Sequence, residues 1–241
     1  MKIISGMHRS GTSLVARIFY ESGADMGDPE TFYRPDKWNP DGYFEQPDIH
    51  AINMPLINGP WWKFSYFHLP STKKILARAA KRAEQIRAAS AKYTGRVVKE
   101  TRFCLTLSAW IRYGAEIEGM LVCLRDPIQV ARSLQKRNSI SIRRGLNLWY
   151  LHNIRLLEQA ADLPAWYVYY DNLLAEEKFY KEMGSALRFF GYDLPPDRME
   201  AIRRKCVKPQ MNHNAGKADF YPQKITALWE KLFESHNAQF E

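Results

Sequence analysis

The feature that most limits what this chain can fold into is its first thirteen residues, Met1 to Ser13, which read as strand, tight loop and helix. Lys2 to Ser5 is a short apolar run suited to a buried strand, and Gly6 to Gly11 is too rich in small and polar residues to extend it. Ser10, Thr12 and Ser13 then give way to Leu14, Val15, Ile18 and Phe19, spaced as in a helix with one buried face. In such a loop the backbone N–H groups and the helix N-terminus form a concavity of partial positive charge that suits a phosphate-like anion. Gly6, Gly11, Thr12 and Ser13 nearly fit the nucleoside-triphosphate pattern G-x-x-x-x-G-K-[ST], but the lysine that neutralises the β- and γ-phosphates is missing. Arg9 offers a fixed cation with a fork of donors in its place. The loop therefore suits a phosphate-bearing ligand, and not obviously ATP with magnesium.

At 241 residues the chain can bury one sizeable core, so one α/β domain over 1–241 is expected. Its 35 basic and 26 acidic side chains leave a formal charge of +9, which favours a polyanionic partner. Zinc-finger spacing, arginine-glycine repeats and a basic tail are all missing from the sequence, so nucleic acid is not the expected partner. No apolar stretch has membrane length and the loop begins too early for a secretory signal, so a soluble cytoplasmic protein is expected. Cys104, Cys123 and Cys206 follow no metal or disulfide spacing and read as reduced, the first two packed among apolar neighbours.

The first helix is expected over Ser13 to Ser22. Residues 24–70 then hold a high density of Gly, Pro, Asp and aromatic side chains, including Asn39-Pro40-Asp41-Gly42, and read as a functional loop region for an acceptor. Within it Glu45 follows Tyr43 and Phe44, whose rings can hold the carboxylate beside a pocket; a surface glutamate behind two anchoring aromatics fits as well. A short helix is expected over 48–57, after which Trp61, Trp62, Phe64, Tyr66 and Phe67 either cap a core or line an acceptor site. Ser71 to Tyr93 reads as one helix capped by Ser71, with Ile75, Ala79, Ala83, Ile86 and Ala89 as its apolar face.

Arg96 to Lys99 is a short buried strand, and Lys99, Glu100 and Arg102 stand where it emerges. If the sheet is parallel, these residues share the rim of the first loop, where ligands gather. A helix over Leu105 to Tyr113 leads to Gly119–Leu124, apolar throughout and the clearest central strand, followed by Arg125-Asp126-Pro127. The proline ends the strand and can start a helix. Arginine at a strand end is costly unless paired or solvated, and an anionic ligand is its simplest partner. Ser133, eight residues on, can point back toward the first loop with it. Helices over Ile140 to Ala160, Phe179 to Phe190 and Pro222 to Ser235 and a strand over Trp166 to Tyr170 complete the pattern, with Arg203 to Lys205 and Asn214 to Lys217 expected in an irregular tail. Strands alternating with helices predict a three-layer α/β/α fold with a mainly parallel central sheet and the phosphate-binding loop after its first strand.

With these segments in hand, the chain resembles the sulfotransferases that use 3'-phosphoadenosine 5'-phosphosulfate, PAPS. Ser5-Gly-Met-His-Arg-Ser-Gly-Thr-Ser13 resembles their loop around the 5'-phosphosulfate, with Arg9 where many members have lysine; Leu124-Arg-Asp-Pro127 through Ser133 resembles the arginine and serine that grip the 3'-phosphate. Tyr169 to Leu174 resembles a further family strand, so the likeness runs in order over roughly residues 2–190. It departs at Lys99-Glu100-Thr101, where members acting on phenols and steroids have Lys-Thr-His with the histidine as base; here Lys99 matches and the base does not. Members acting on carbohydrates commonly use a glutamate, and bacterial relatives often carry a Gly-Tyr-Phe-Glu run like Gly42 to Glu45. The carboxyl-terminal Arg-Lys-Gly run of cytosolic members has only Ala215-Gly-Lys217 as a weak counterpart.

The resemblance implies sulfuryl transfer from PAPS to a hydroxyl or amine of a small-molecule or saccharide acceptor, leaving adenosine 3',5'-bisphosphate, with no metal. It places Gly6, His8, Arg9, Ser10, Gly11, Thr12 and Ser13 around the 5' end of the donor and Arg125 and Ser133 on the 3'-phosphate. Glu45 is the first candidate for the base, provided a dry pocket raises its pKa; Glu100 beside Lys99 and the loop histidine His8 follow, and transfer without a base stays open. Two other readings stay open: a nucleotide or small-molecule kinase, disfavoured by Thr12 in the lysine position and by Arg125 where a metal-binding carboxylate is expected, and a noncatalytic anion-binding or scaffold protein.

Overall fold

The computed structural model describes residues 1–37, 39–58, 69–208 and 221–241. Its strands β1 (Lys2–Ser5), β2 (Val97–Lys99), β3 (Gly119–Leu124) and β4 (Ala165–Tyr169) form a four-stranded sheet in the order β2-β1-β3-β4, with every neighbouring pair parallel. Parallel pairing needs crossovers, which brings the carboxyl ends of all four strands to one rim. Ile4 lies opposite Lys99 on one side and Leu121 on the other, so the loop after Ser5 sits between the ends of β2 and β3.

The strands alternate their side chains between two apolar layers. Ile3, Val98, Met120 and Val122 pack with α2 (Pro47–Ile57), α3 (Thr72–Ala80), α4 (Ala83–Lys92), α5 (Phe103–Arg112), α6 (Pro127–Asn138), α7 (Ile142–Ala160) and α11 (Gln223–Ala238). Ile4, Val97, Leu121, Cys123 and Val168 pack with α1 (Thr12–Glu21), α8 (Tyr170–Leu174), α9 (Glu176–Phe189) and α10 (Pro196–Cys206). This is the expected three-layer α/β/α architecture. All six residues of β3 are buried, the physical reason its sequence is an unbroken apolar run.

Two expectations need correction. The single helix over Ser71 to Tyr93 is two, α3 and α4, separated by a turn at Lys81 and Arg82. Ile75 and Ala79 anchor one half and Ile86 and Ala89 the other, with only the small Ala83 between them, so packing overrides the local helix preference. Arg203 to Lys205 lies in α10 and not in an irregular tail: Pro196 opens the helix, and Met199, Ile202 and Cys206 form a sparse buried stripe diluted by charge. The three cysteines are buried and free. No helix of the described residues is long and apolar enough to cross a membrane. The aromatic cluster from Trp61 to Phe67 and the Ala215 to Lys217 run lie outside the described residues.

Candidate active site

The first loop is shaped by two glycines that have no room for a side chain. A Cβ on Gly6 would meet the Cys123 carbonyl oxygen of β3 at 2.6 Å, and one on Gly11, where φ is +88°, would meet Tyr170 Cδ2 at 2.3 Å. Arg9 also adopts a left-handed backbone, φ +72°, without being glycine. Such strain costs about 1–3 kcal/mol and persists only where the surroundings impose it. No side chain caps α1, so the N–H groups at its start are left for a ligand.

A cleft of about 550 Å³ opens over this loop, lined by Arg9, Gly11, Thr12 and Ser13 together with Arg125 and Ser133. It also gathers Arg17, Lys37, Lys136 and Lys208, so six basic side chains face a single acid, Asp41. Asp41 is held by Arg17 at 2.9 Å and Lys208 at 2.5 Å. The residues singled out from the two separate sequence segments meet here. Arg9 Nε donates to Ser133 Oγ at 2.9 Å, and Arg125 Nη1 donates to the Arg9 carbonyl at 3.1 Å. Arg125 also donates to Gln129 Oε1 at 3.0 Å and lies 4.1 Å over the Tyr170 ring. Burial pushes the pKa of Arg9 down, and the neighbouring charges of Arg137 and Arg125 push it further; burial likewise lowers Arg125. The site disfavours its own cations, and an anion would relieve it. Arg9 thus reaches toward Ser133.

A second group lies at the end of β2. Glu45 forms an isolated parallel bridge with Lys99, and Lys99 Nζ donates to Glu45 Oε1 at 2.5 Å. Arg102 Nη1 donates to Glu100 Oε1 at 2.7 Å and stands 3.5 Å from Glu45 Oε2. All of Glu45, Lys99 and Glu100 are buried. Burial alone would raise the Glu45 pKa, but Lys99, the His50 imidazole and Arg102 outweigh it and hold the carboxyl well below its usual range. A base role for Glu45 needs a pocket that raises its pKa, and here the cations that bind it lower it instead.

Glu45, His50 and Glu100 place one ligand atom each within 4.8 Å of one another. Lys99 and Arg102 already balance the two carboxylates, so a divalent ion would add uncompensated positive charge to a buried cluster, and the residues do not fit a metal. His8 shares a hydrogen bond with Thr101 Oγ1, 3.1 Å from its Nδ1. Burial, then Arg102 and His152, lower its pKa well below the usual value and keep it neutral. His8 and His152 line a smaller cleft of about 100 Å³ with Met54, Ile57, Asn58, Leu69, Arg102 and Leu105. Consecutive loop residues thus serve different clefts, Arg9 the large cationic one and His8 the small, largely apolar one.

Sequence reading did not find His50, Tyr170, Gln129 or Arg137. Gln129 and Arg137 carried a signal, since they lie four residues before and after Ser133 on the same helix. His50 carried none beyond its place in the expected 48–57 helix.

No protein-family model matches the sequence, and a search of curated proteins finds no match. Among solved structures, the sulfotransferase domain from the Synechococcus PCC 7002 olefin synthase superposes with a TM-score of 0.53 at 13% sequence identity, covering 97% of this chain and 94% of that one. At this identity the likeness is one of architecture: the chain has the fold of a sulfotransferase domain.

Proposed function

We propose that the protein transfers a sulfuryl group from PAPS to a hydroxyl or amine of an acceptor. The observation that carries this reading is the meeting of Arg9, Arg125 and Ser133 at one cleft of strongly basic lining. The fold likeness supports it. The donor supplies an activated sulfuryl group and leaves as adenosine 3',5'-bisphosphate.

Gly11, Thr12 and Ser13 would present backbone N–H groups to the 5' end, where negative charge grows as the bond to sulfur breaks. Arg125, Ser133 and the reaching Arg9 would hold the 3'-phosphate and fix the donor's register. The acceptor would enter the smaller cleft, with residues 24–70 forming much of its surroundings. Glu45 is the proposed base; Lys99 donates to its Oε1, and Arg102 Nη1 and His50 Nδ1 stand 3.5 Å and 3.7 Å from its Oε2. A ligand group that drew Lys99 off Oε1 would raise the basicity of Glu45. Glu100 accepts from the Arg102 backbone N–H and from Arg102 Nη1 at Oε1 alone and its buried Oε2 has no hydrogen-bond partner among the described residues, so it stays the second candidate, while His8 shares a hydrogen bond with Thr101.

The test is incubation with sulfur-labelled PAPS and pooled hydroxyl and amine acceptors, saccharides among them. The reading predicts label in an acceptor with the wild-type protein and a large loss with Glu45→Gln at unchanged donor affinity. Donor binding with no labelled product from any pool would favour a noncatalytic anion-binding protein.

A further inference from the structure

Helix α6 borders the cationic cleft, which its Ser133 and Lys136 line. Gln129, Ser133 and Arg137 lie at i, i+4 and i+8, and each hydrogen-bonds a different partner. Gln129 Oε1 accepts from Arg125 Nε at 3.0 Å, Ser133 Oγ accepts from Arg9 Nε at 2.9 Å, and Arg137 Nη2 donates to the Tyr43 hydroxyl at 3.1 Å. Helical side chains lean toward the helix N-terminus, so Arg137 leans back over the turn that carries Ser133.

Charge makes the same point. Arg137 is the neighbouring charge that weighs most on Arg9, ahead of Arg125. Among the described residues none of these three guanidiniums forms an ion pair with a carboxylate; their partners are hydroxyls, an amide, a carbonyl and aromatic faces. The acids nearest Arg125 are engaged elsewhere. Asp126 accepts from the Ile128 N–H at 3.0 Å and Tyr221 at 2.6 Å, and Asp171 accepts from Gln129 at 3.2 Å and Tyr169 at 2.9 Å. Arg137 and Arg125 both repel the buried Arg9, and a doubly charged anion would relieve that repulsion.

Tyr43 joins this cluster to the other half of the site. Its hydroxyl accepts from Arg137 and donates to Asp36 Oδ2 at 2.7 Å, and two residues later Glu45 is bound to Lys99. Phe44, between them, has φ +55°, a left-handed conformation that bulky residues rarely adopt, so the short span is held from both ends. Building on the sulfotransferase reading, we infer that Arg137 is a third guanidinium of the 3'-phosphate site and that Tyr43 is the positioning residue through which occupancy of that site sets the placement of Glu45.

The test titrates the full chain with adenosine 3',5'-bisphosphate and with adenosine 5'-monophosphate, and follows backbone hydrogen exchange across residues 41–46. Arg137→Ala should weaken the bisphosphate about tenfold and the monophosphate less than about twofold, as expected for one charge-assisted contact to the 3'-phosphate. Arg137→Gln gives the same comparison if the alanine variant unfolds. The bisphosphate should slow exchange over 41–46 in the wild type and not in Tyr43→Phe, which should still bind it within about threefold. An equal loss for both nucleotides, no loss for either, or full protection in Tyr43→Phe overturns the inference alone. Failure of the wild type to bind the bisphosphate overturns the sulfotransferase reading and this inference with it.

Discussion

The two halves of the site handle charge in opposite ways. Around Arg9, Arg125 and Arg137, positive charge accumulates with no carboxylate paired to it among the described residues. Around Lys99 and Arg102, two cations are matched by Glu45 and Glu100 in a buried network. On the proposed function the first arrangement is a frustrated cluster that an anion from outside completes, and the second, balanced in charge by its own carboxylates, holds the proposed base.

Substitutions can break this contrast, and the largest effect should come from Arg9→Ala. Removing the strained arginine that touches Ser133 is expected to lower transfer from PAPS by at least about a hundredfold, by the loss of charge-assisted contacts to the donor. Turnover within about tenfold of wild type would contradict its role.

On the balanced side, Lys99→Met leaves Glu45 and Glu100 with one cation between them. Breaking a buried pair from one side should cost about 3–5 kcal/mol in denaturant unfolding. The matching change in the frustrated cluster, Arg125→Met, should cost less, because it removes a buried charge that has no ion-pair partner among the described residues. Equal destabilisation by the two would erase the distinction.

Acid stability sharpens it further. The Glu45 pKa is depressed in the folded protein, so its contribution is fully present above the unfolded carboxylate value of about 4.3 and is lost as pH falls from there through the folded value. Glu45→Gln should flatten the fall of unfolding free energy below about pH 4.5. An unchanged slope in that range would mean the Lys99 pairing does not hold the carboxyl down.

Ser133→Ala should give the smallest effect, a weakening of adenosine 3',5'-bisphosphate by about three- to tenfold, the worth of one hydrogen bond. No change would remove the serine from the phosphate site.

The frustrated half was legible in sequence because its parts sit at fixed offsets from unmistakable local structure. β1 ends where the glycines begin, β3 ends at Arg125, and Pro127 starts the helix that carries Ser133. The balanced half was only partly legible. Lys99 and Glu100 could be placed at a strand end, but the bond from Lys99 to Glu45 joins residues 54 apart in sequence. It depends on an isolated bridge between the 24–70 region and β2 that no local pattern announces. For the same reason the lowered pKa of Glu45 was not legible: residue type gives the desolvation, and only the fold gives the cations that reverse it. Arg137 was missed although its spacing from Ser133 was visible, because the partner that marks it, Tyr43, lies 94 residues away.

The central claim is that the cationic cleft is built for a nucleotide with two separate phosphate groups and without a metal. Calorimetric titration of the wild-type protein with adenosine 3',5'-bisphosphate against ATP with magnesium tests it most directly. The account predicts that the bisphosphate binds at least about tenfold more tightly, a difference of about 1.4 kcal/mol. Equal or tighter binding of ATP with magnesium would contradict it and favour a kinase.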